Sequence, residues 1–257
     1  MAARTKIIAE LASNWSGNVA LLESMISEAA YAGADVAKVQ LFDASVLHDD
    51  DPQKAFLTLS QITRPILDRA LMAASHAKIE LVASVFGIPQ AKMAQAAGLE
   101  VIKVGSGEVQ RLDLLAYCHE HFNVVWLSTG LTWFRAFGSV QRGEFNPVVF
   151  YGVSQYPTPY MRGLAALYQA NREDIFSWSD HGNTLEVAKE AILYGATYVE
   201  RHFTLPFRTG ARRSAWDSEA AGIRELRDHA ESCAWEGTDA HKDACEKYLT
   251  RWTGEKK

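Results

Sequence analysis

Residues Ala30–Lys38 read AYAGADVAK, and the same phrase returns as AQAAGLEVIK at Ala94–Lys103 and as ILYGATYVE at Ile192–Glu200. Each copy is a helix end, a glycine and the start of an apolar strand. Glycine ends a helix readily because it enters the left-handed region with no Cβ to clash. The repetition predicts successive βα units. Working outward, the candidate strands are Lys6–Ala12, Asp35–Phe42, Glu80–Phe86, Val101–Gly105, Asn123–Thr129, Val148–Ser154, Ile175–Asp180 and Tyr198–Leu205. Several are nearly continuous apolar runs, the pattern of parallel strands covered on both faces. Between them Ala20–Ala32, Ala55–Ala77 and Thr184–Tyr194 read as helices, and Leu131–Gly143 as a distorted helix or a loop. Ser218–Glu236 reads as the closing helix and Ala240–Trp252 as an extra C-terminal one. Eight units in 257 residues predict an α/β fold, a (β/α)8 TIM barrel, as a single domain over residues 1–257 with no second domain. A doubly wound open sheet is the alternative, and the lack of a glycine-rich dinucleotide fingerprint counts against it.

Composition narrows the function classes. With 26 Lys and Arg against 31 Asp and Glu, the formal charge of −5 argues against a dedicated nucleic-acid binder. A hydrophobic fraction of 48% supplies a sizeable core and rules out low-complexity disorder. Cys118, Cys233 and Cys245 have neither metal-ligand nor redox-motif spacing, so reduced thiols are expected. No run reaches the length of a membrane span, and the N-terminus lacks the apolar core of a signal peptide. A cytoplasmic location and no membrane partner are the expectation.

In a (β/α)8 barrel the chemistry sits at the C-terminal ends of the strands. The polar residues there are Glu10 and Asn14, Lys38 and Gln40, Ser84, then Lys103, Ser106 and Glu108. They continue with Ser128 and Thr129, Ser154 to Tyr156, Ser179 to His181, and Glu200 with His202. Strand alternation puts Lys38 with Gln40, and Glu200 with His202, on one face each. A lysine inside an apolar strand needs a counter-charge. Lys38 and Lys103 therefore imply either a bound anion or ion pairs with Glu10, Glu108 or Glu200. His181 and His202, on neighbouring strands, can hold a divalent metal with open positions, or serve as one buried and one hydrogen-bonded imidazole. Trp126, Trp178 and Trp216 read as packing or rim residues, and the acidic run His48–Asp51 as a cap or a solvated face.

The motifs IIAELASNWSG (Ile7–Gly17), ADVAKVQLF, VIKVGSGEV, STG, YPTPY, SDHG and VERHFTL, ending at Leu205, occur in one order along the chain. In that order the sequence resembles the sialic acid synthase family, which includes legionaminate and pseudaminate synthases. The resemblance implies condensation of phosphoenolpyruvate with an open-chain aldose to a 2-keto-3-deoxy sugar acid, with release of phosphate and help from manganese or magnesium. It implies His181 and His202 as metal ligands and Glu10 as the catalytic carboxylate. Lys38, Lys103, Ser106, Ser128 and Ser179 match the phosphoenolpyruvate site, with Ser84 in place of a family Thr. Gln40, Tyr156 and Asn14 match further substrate contacts, and Glu108 a residue that meets the acceptor. The partners implied are phosphoenolpyruvate and an aldose; family members are commonly dimeric through an extra domain, so for this chain a homodimer through another surface and a monomer both stay open.

The acceptor side departs from the family. Nothing in these residues corresponds to the family's C-terminal antifreeze-like domain, so that side is expected to be completed differently or left open. Trp15 and Ser16 stand where the family has His and Asn. The loop TGARRSAW (Thr209–Trp216) replaces an acidic one, crowding Arg208, Arg212 and Arg213 together. These arginines imply an acceptor carrying phosphate or carboxylate, with Arg212 as a contact, or else surface ion pairs. Two other classes stay open: a non-catalytic or partner-dependent barrel subunit, and an aldolase forming a Schiff base on Lys103.

Overall fold

The structure, a computed structural model, describes residues 4–130, 147–170, 176–206 and 209–235. Among these, eight parallel strands close into a barrel in chain order, which rules out the open sheet. The strands are β1 (Lys6–Ala12), β2 (Val36–Leu41), β3 (Glu80–Val85), β4 (Val101–Val104), β5 (Val124–Ser128), β6 (Val148–Gly152), β7 (Ser177–Asp180) and β8 (Tyr198–His202). The helices are α1 (Val19–Tyr31), α2 (Lys54–Leu59), α3 (Arg64–Ala77), α4 (Ile88–Ala96), α5 (Leu112–His121), α6 (Tyr160–Ala170), α7 (Glu186–Leu193) and α8 (Ala220–Trp235). The segments Leu131–Gly143 and Ala240–Trp252 lie outside the described residues.

The repeated phrase does what its glycines suggest. Gly33, Gly98 and Gly195 take φ of 92°, 82° and 78° directly after α1, α4 and α7, turning the chain back into β2, β4 and β8. At the other end of α1, the Asn18 side chain accepts from the Leu21 N–H at 3.2 Å and satisfies one of the helix's orphan donors. The single helix expected over Ala55–Ala77 is instead two. Ile62 is buried in the break, and Pro65 in the first turn of α3 starts a new helix where its missing N–H does no harm. Strand β8 is shorter than expected, since from Phe203 the chain pairs instead with Ser218 of the loop that follows.

Register decides what the barrel encloses. Glu10 pairs with Lys38, Gln40 with Ser84, Ser84 with Lys103, Ser179 with Glu200, and Glu10 with His202. Side chains of one parity therefore point inward around the ring, while their neighbours meet the helices. The inward layer nearer the strand starts is apolar: Ile8, Val36, Val82, Trp126 and Phe150 form a separate cluster. The layer above it is charged. The outward parity, with Ala9, Val39, Ala83, Ile102, Leu127 and Val199, packs with the helices into the main core.

Trp126 is 1% exposed and stacks at 5.0 Å on Phe150, so it plugs the barrel beneath the charged layer. Trp126→Ala is expected to cost about 3–5 kcal/mol, as a large buried aromatic does on truncation, read as a lower urea midpoint with an unchanged slope.

Candidate active site

Six of the sequence-selected positions converge inside the barrel. Lys38 Nζ contacts Glu10 Oε2, donates to Ser84 Oγ at 2.7 Å and lies 3.5 Å from Glu200 Oε2. Lys103 Nζ donates to both Glu200 oxygens at 3.0 Å and to Ser179 Oγ at 2.9 Å, and sits 4.1 Å from the centre of the Phe150 ring. The lysines are thus paired, and Glu200 joins them. Glu108 stands apart: it is half-buried beside Gly105 and feels Arg111 instead.

Burial inside this layer sets the charges. Burial pushes the Glu10 carboxyl up, and Lys38 only partly offsets that. Glu10 Oε1 has no hydrogen-bond partner among the described residues. For Glu200, burial opposes ionisation, but Lys103 and Lys38 outweigh it and hold the carboxyl at about 2. Burial lowers Lys103 to about 8, against the pull of Glu200. Of the two carboxylates, then, Glu200 is a fixed anion and Glu10 the one poised to exchange a proton.

A second group lies at the strand ends. The His181 and His202 rings are 5.5 Å apart, with Tyr156 at 4.2 Å from His181 and Trp216 at 5.5 Å from Tyr156. His181 Nδ1 is 2.8 Å from the Val153 carbonyl. A carbonyl only accepts, so Nδ1 carries the proton and Nε2 keeps its lone pair. Burial lowers both histidines, His202 well below the usual range with help from His181, so both imidazoles are neutral. Two neutral imidazoles, one with a fixed tautomer, fit a divalent cation held through histidine with positions left for water and substrate. A ready-made group of three acidic, histidine or cysteine ligands does not form among the described residues. Burial also pushes the Tyr156 phenol up to about 12, so it stays protonated.

The remaining positions ring these groups. Ser106 and Ser154 hydroxyls are 3.2 Å apart, and Gln40 and Ser128 are half-buried on β2 and β5. Asn14 Nδ2 donates to the Phe203 carbonyl at 3.0 Å, and the Asn14 carbonyl accepts from Arg212 N at 2.8 Å. Trp15 is fully buried, and its indole N–H has no partner among the described residues. The arginines of the last loop divide. Arg213 pairs with Glu219 at 2.7 Å, whereas the exposed Arg212 lays its guanidinium 4.2 Å over the Phe56 ring. Arg208 lies outside the described residues.

Asp217 was invisible to the sequence reading. Its side chain is 1% exposed, its Oδ1 stands 4.0 Å from His202 Nδ1, and its Oδ2 accepts from Ser214 N at 2.6 Å. Only the fold-back of the last loop brings it there: Ser218 N donates to the His202 carbonyl at 2.8 Å, and Thr204 N to the Ser218 carbonyl at 2.9 Å. No periodicity reports such a contact.

Glu200 is the carboxylate paired with Lys103 among the described residues, whereas Lys38 also has Glu10, so Glu200→Gln should strand the Lys103 ammonium. The expected loss is about 3–5 kcal/mol, the usual result of breaking a buried pair, measured as the denaturant midpoint at pH 7.

Comparison with known proteins places the chain in a family. A profile of the NeuB family matches residues 25–236. The chain is 23% identical over 231 residues to the N,N'-diacetyllegionaminic acid synthase of Campylobacter jejuni, covering 79% of this chain and 68% of that protein. It is 25% identical over 222 residues to the N-acetylneuraminate-9-phosphate synthase of Drosophila melanogaster, covering 77% of this chain and 60% of that one. The chain thus spans about two thirds of the length of these relatives. In fold it is similar to the N-acetylneuraminic acid synthetase of Leptospira borgpetersenii, with a TM-score of 0.83 at 20% identity over 98% of this chain and 93% of that one. It is also similar to a truncated 3-deoxy-D-arabino-heptulosonate 7-phosphate synthase of Thermotoga maritima, with a TM-score of 0.67 at 14% identity over 90% of this chain and 87% of that one. The family match and the motif order agree: the chain belongs to the NeuB family.

Proposed function

We propose that this chain condenses phosphoenolpyruvate with an aldose to give a 2-keto-3-deoxy sugar acid and inorganic phosphate. The observation that carries the reading is the buried layer in which Lys38 and Lys103 stand beside the hydroxyls of Ser84 and Ser179, below two neutral imidazoles. Phosphoenolpyruvate is a small trianion, and two ammonium groups with hydroxyl donors in a dry site suit its phosphate and carboxylate. Ser106 and Ser128 add donors at the neighbouring strand ends. Gln40 and Tyr156 border the same space, and Asn14 and Glu108 lie toward the acceptor.

The reaction needs one new C–C bond and one hydration. The enol carbon attacks the aldehyde carbon, and the aldehyde oxygen gains a proton. Water adds to the carbon bearing the phosphate, that C–O bond breaks, and phosphate leaves as the keto group forms. Glu10 takes the proton of the water, burial having raised its carboxyl above the usual carboxylate range and so made it a stronger base. Glu200 holds Lys103 charged and aimed. His181 and His202 are the residues that would hold a divalent cation such as manganese or magnesium, which supplies Lewis-acid polarisation of the aldehyde oxygen. Lys103 acts as an anion-binding ammonium that gives up part of its hydrogen bonding to Glu200 and Ser179 when phosphoenolpyruvate binds.

The acceptor reading rests on Arg212. Arg213 is occupied by Glu219, while Arg212 has no carboxylate at ion-pair distance among the described residues and presents its guanidinium edge from the Phe56 platform. Arginine in that state suits an aldose bearing phosphate or carboxylate.

Binding is tested first. In the presence of manganese, phosphoenolpyruvate at about 100 times its dissociation constant should raise stability by about 2.7 kcal/mol beyond manganese alone, and the gain should vanish in His181→Ala and His202→Ala. No shift under any condition would move the reading to a barrel subunit that works only with a partner, or not as an enzyme. Lys103 must be charged to bind the anion, so affinity for phosphoenolpyruvate is expected to hold below about 8 and fall as pH rises through that value. In Lys103→Arg that alkaline fall should disappear.

Acceptor choice is read from a panel of neutral and phosphorylated aldoses. Turnover is expected to favour the phosphorylated ones, and Arg212→Gln should raise their KM with little change for neutral sugars. Equal or better turnover of neutral aldoses would remove the anionic acceptor.

A further inference from the structure

We infer that the buried ion pair Asp180–Arg201 is the positioning device that sets His181 and His202 at their mutual distance. The inference rests on the reading of those histidines as the working imidazoles of a synthase. Asp180 and Arg201 are register partners at the ends of β7 and β8, and each directly precedes one of the two histidines. By alternation the pair points outward while the imidazoles turn to the barrel mouth. Both side chains are 2% exposed.

The contacts tie three elements together. Arg201 Nη1 donates to Asp180 Oδ2, and Arg201 Nε donates to Ser218 Oγ at 3.0 Å. Trp178 Nε1, on the same outward face of β7, donates to Asp180 Oδ1 at 3.4 Å. Ser218 in turn donates its N–H to the His202 carbonyl at 2.8 Å and adjoins Asp217, whose Oδ1 faces His202. One guanidinium therefore joins the strand carrying His181, the strand carrying His202 and the loop carrying Asp217.

Stability alone is a poor reason for such a pair. Removing two charges from water is costly, and a well-packed apolar pair in the same volume is commonly as stable or more so. What the apolar pair lacks is direction. The planar guanidinium fixes distance and orientation to Asp180 and Ser218 together. Neither residue reaches the barrel interior, so their part is positioning and not catalysis.

The test uses the full chain with Arg201→Lys and with the double substitution Asp180→Leu plus Arg201→Met. Two quantities are measured: manganese affinity by titration, and the imidazole 15N resonances of the metal-free protein, alongside urea unfolding. The expected result is a folded double variant with an equal or higher midpoint. Its manganese affinity should be weaker by about tenfold or more, the range seen for residues supporting metal ligands, with shifted His181 and His202 resonances. Arg201→Lys should move both readouts in the same direction. Folded variants with unchanged affinity and unchanged resonances would overturn the inference, as would a double variant that does not fold, since the pair would then serve the fold. If the wild-type chain binds no manganese, the metal reading above fails, and the resonances alone decide the positioning role.

Discussion

Lys38 and Lys103 stay inside the barrel as ammonium groups because Glu10 and Glu200 face them there. Everything around this layer follows from the need to keep four ionisable groups satisfied away from water. Below them Trp126, Phe150 and their neighbours fill that end of the barrel with apolar volume. Above them the strand ends supply hydroxyls and imidazoles. The arrangement is asymmetric: among the described residues Glu200 pairs with both lysines, while Glu10 pairs with Lys38 alone and keeps one oxygen without a partner. That asymmetry separates a permanently ionised carboxylate from one able to move a proton.

The outward parity has its own task. Most of it is apolar and joins barrel to helices, as the repeated βα units require. At the ends of β7 and β8, however, the pattern is broken by Asp180 and Arg201, whose burial makes sense for geometry more than for stability. The interior and exterior of the same two strands are thereby linked, with one charge pair outside and imidazoles at the mouth. Membership of the NeuB family accounts for the motif order. Near the strand ends, Trp15 is sealed in the core and Arg212 rests on Phe56.

Much of the fold was legible because its signals are local. Helix end, glycine and apolar strand follow one another within nine or ten residues, and the glycines take the backbone angles that pattern demands. The one-helix reading of Ala55–Ala77 failed because helical periodicity ran on across a break created by the tertiary burial of Ile62. Strand β8 stops short of the expected Leu205 for a related reason: Phe203 to Leu205 have the β-forming residues to continue a strand, but Phe203 pairs instead with Ser218, fifteen residues further along.

The sequence by itself determined the succession of βα units and the parity of each site residue, because a period of two is a property of the strand alone. It therefore placed Lys38 with Gln40 and Glu200 with His202 before any fold was known. Which lysine meets which carboxylate was decided only by tertiary structure. Closure of the barrel brings β8 beside β1 and gives Glu200 to both lysines, leaving Glu108 to Arg111. The same holds for Asp217 beside His202, for Arg213 against Glu219, and for the guanidinium that spans Asp180 and Ser218. Each depends on the path of a loop or the register between strands far apart in the chain, and such contacts leave no periodic trace in the residues that make them.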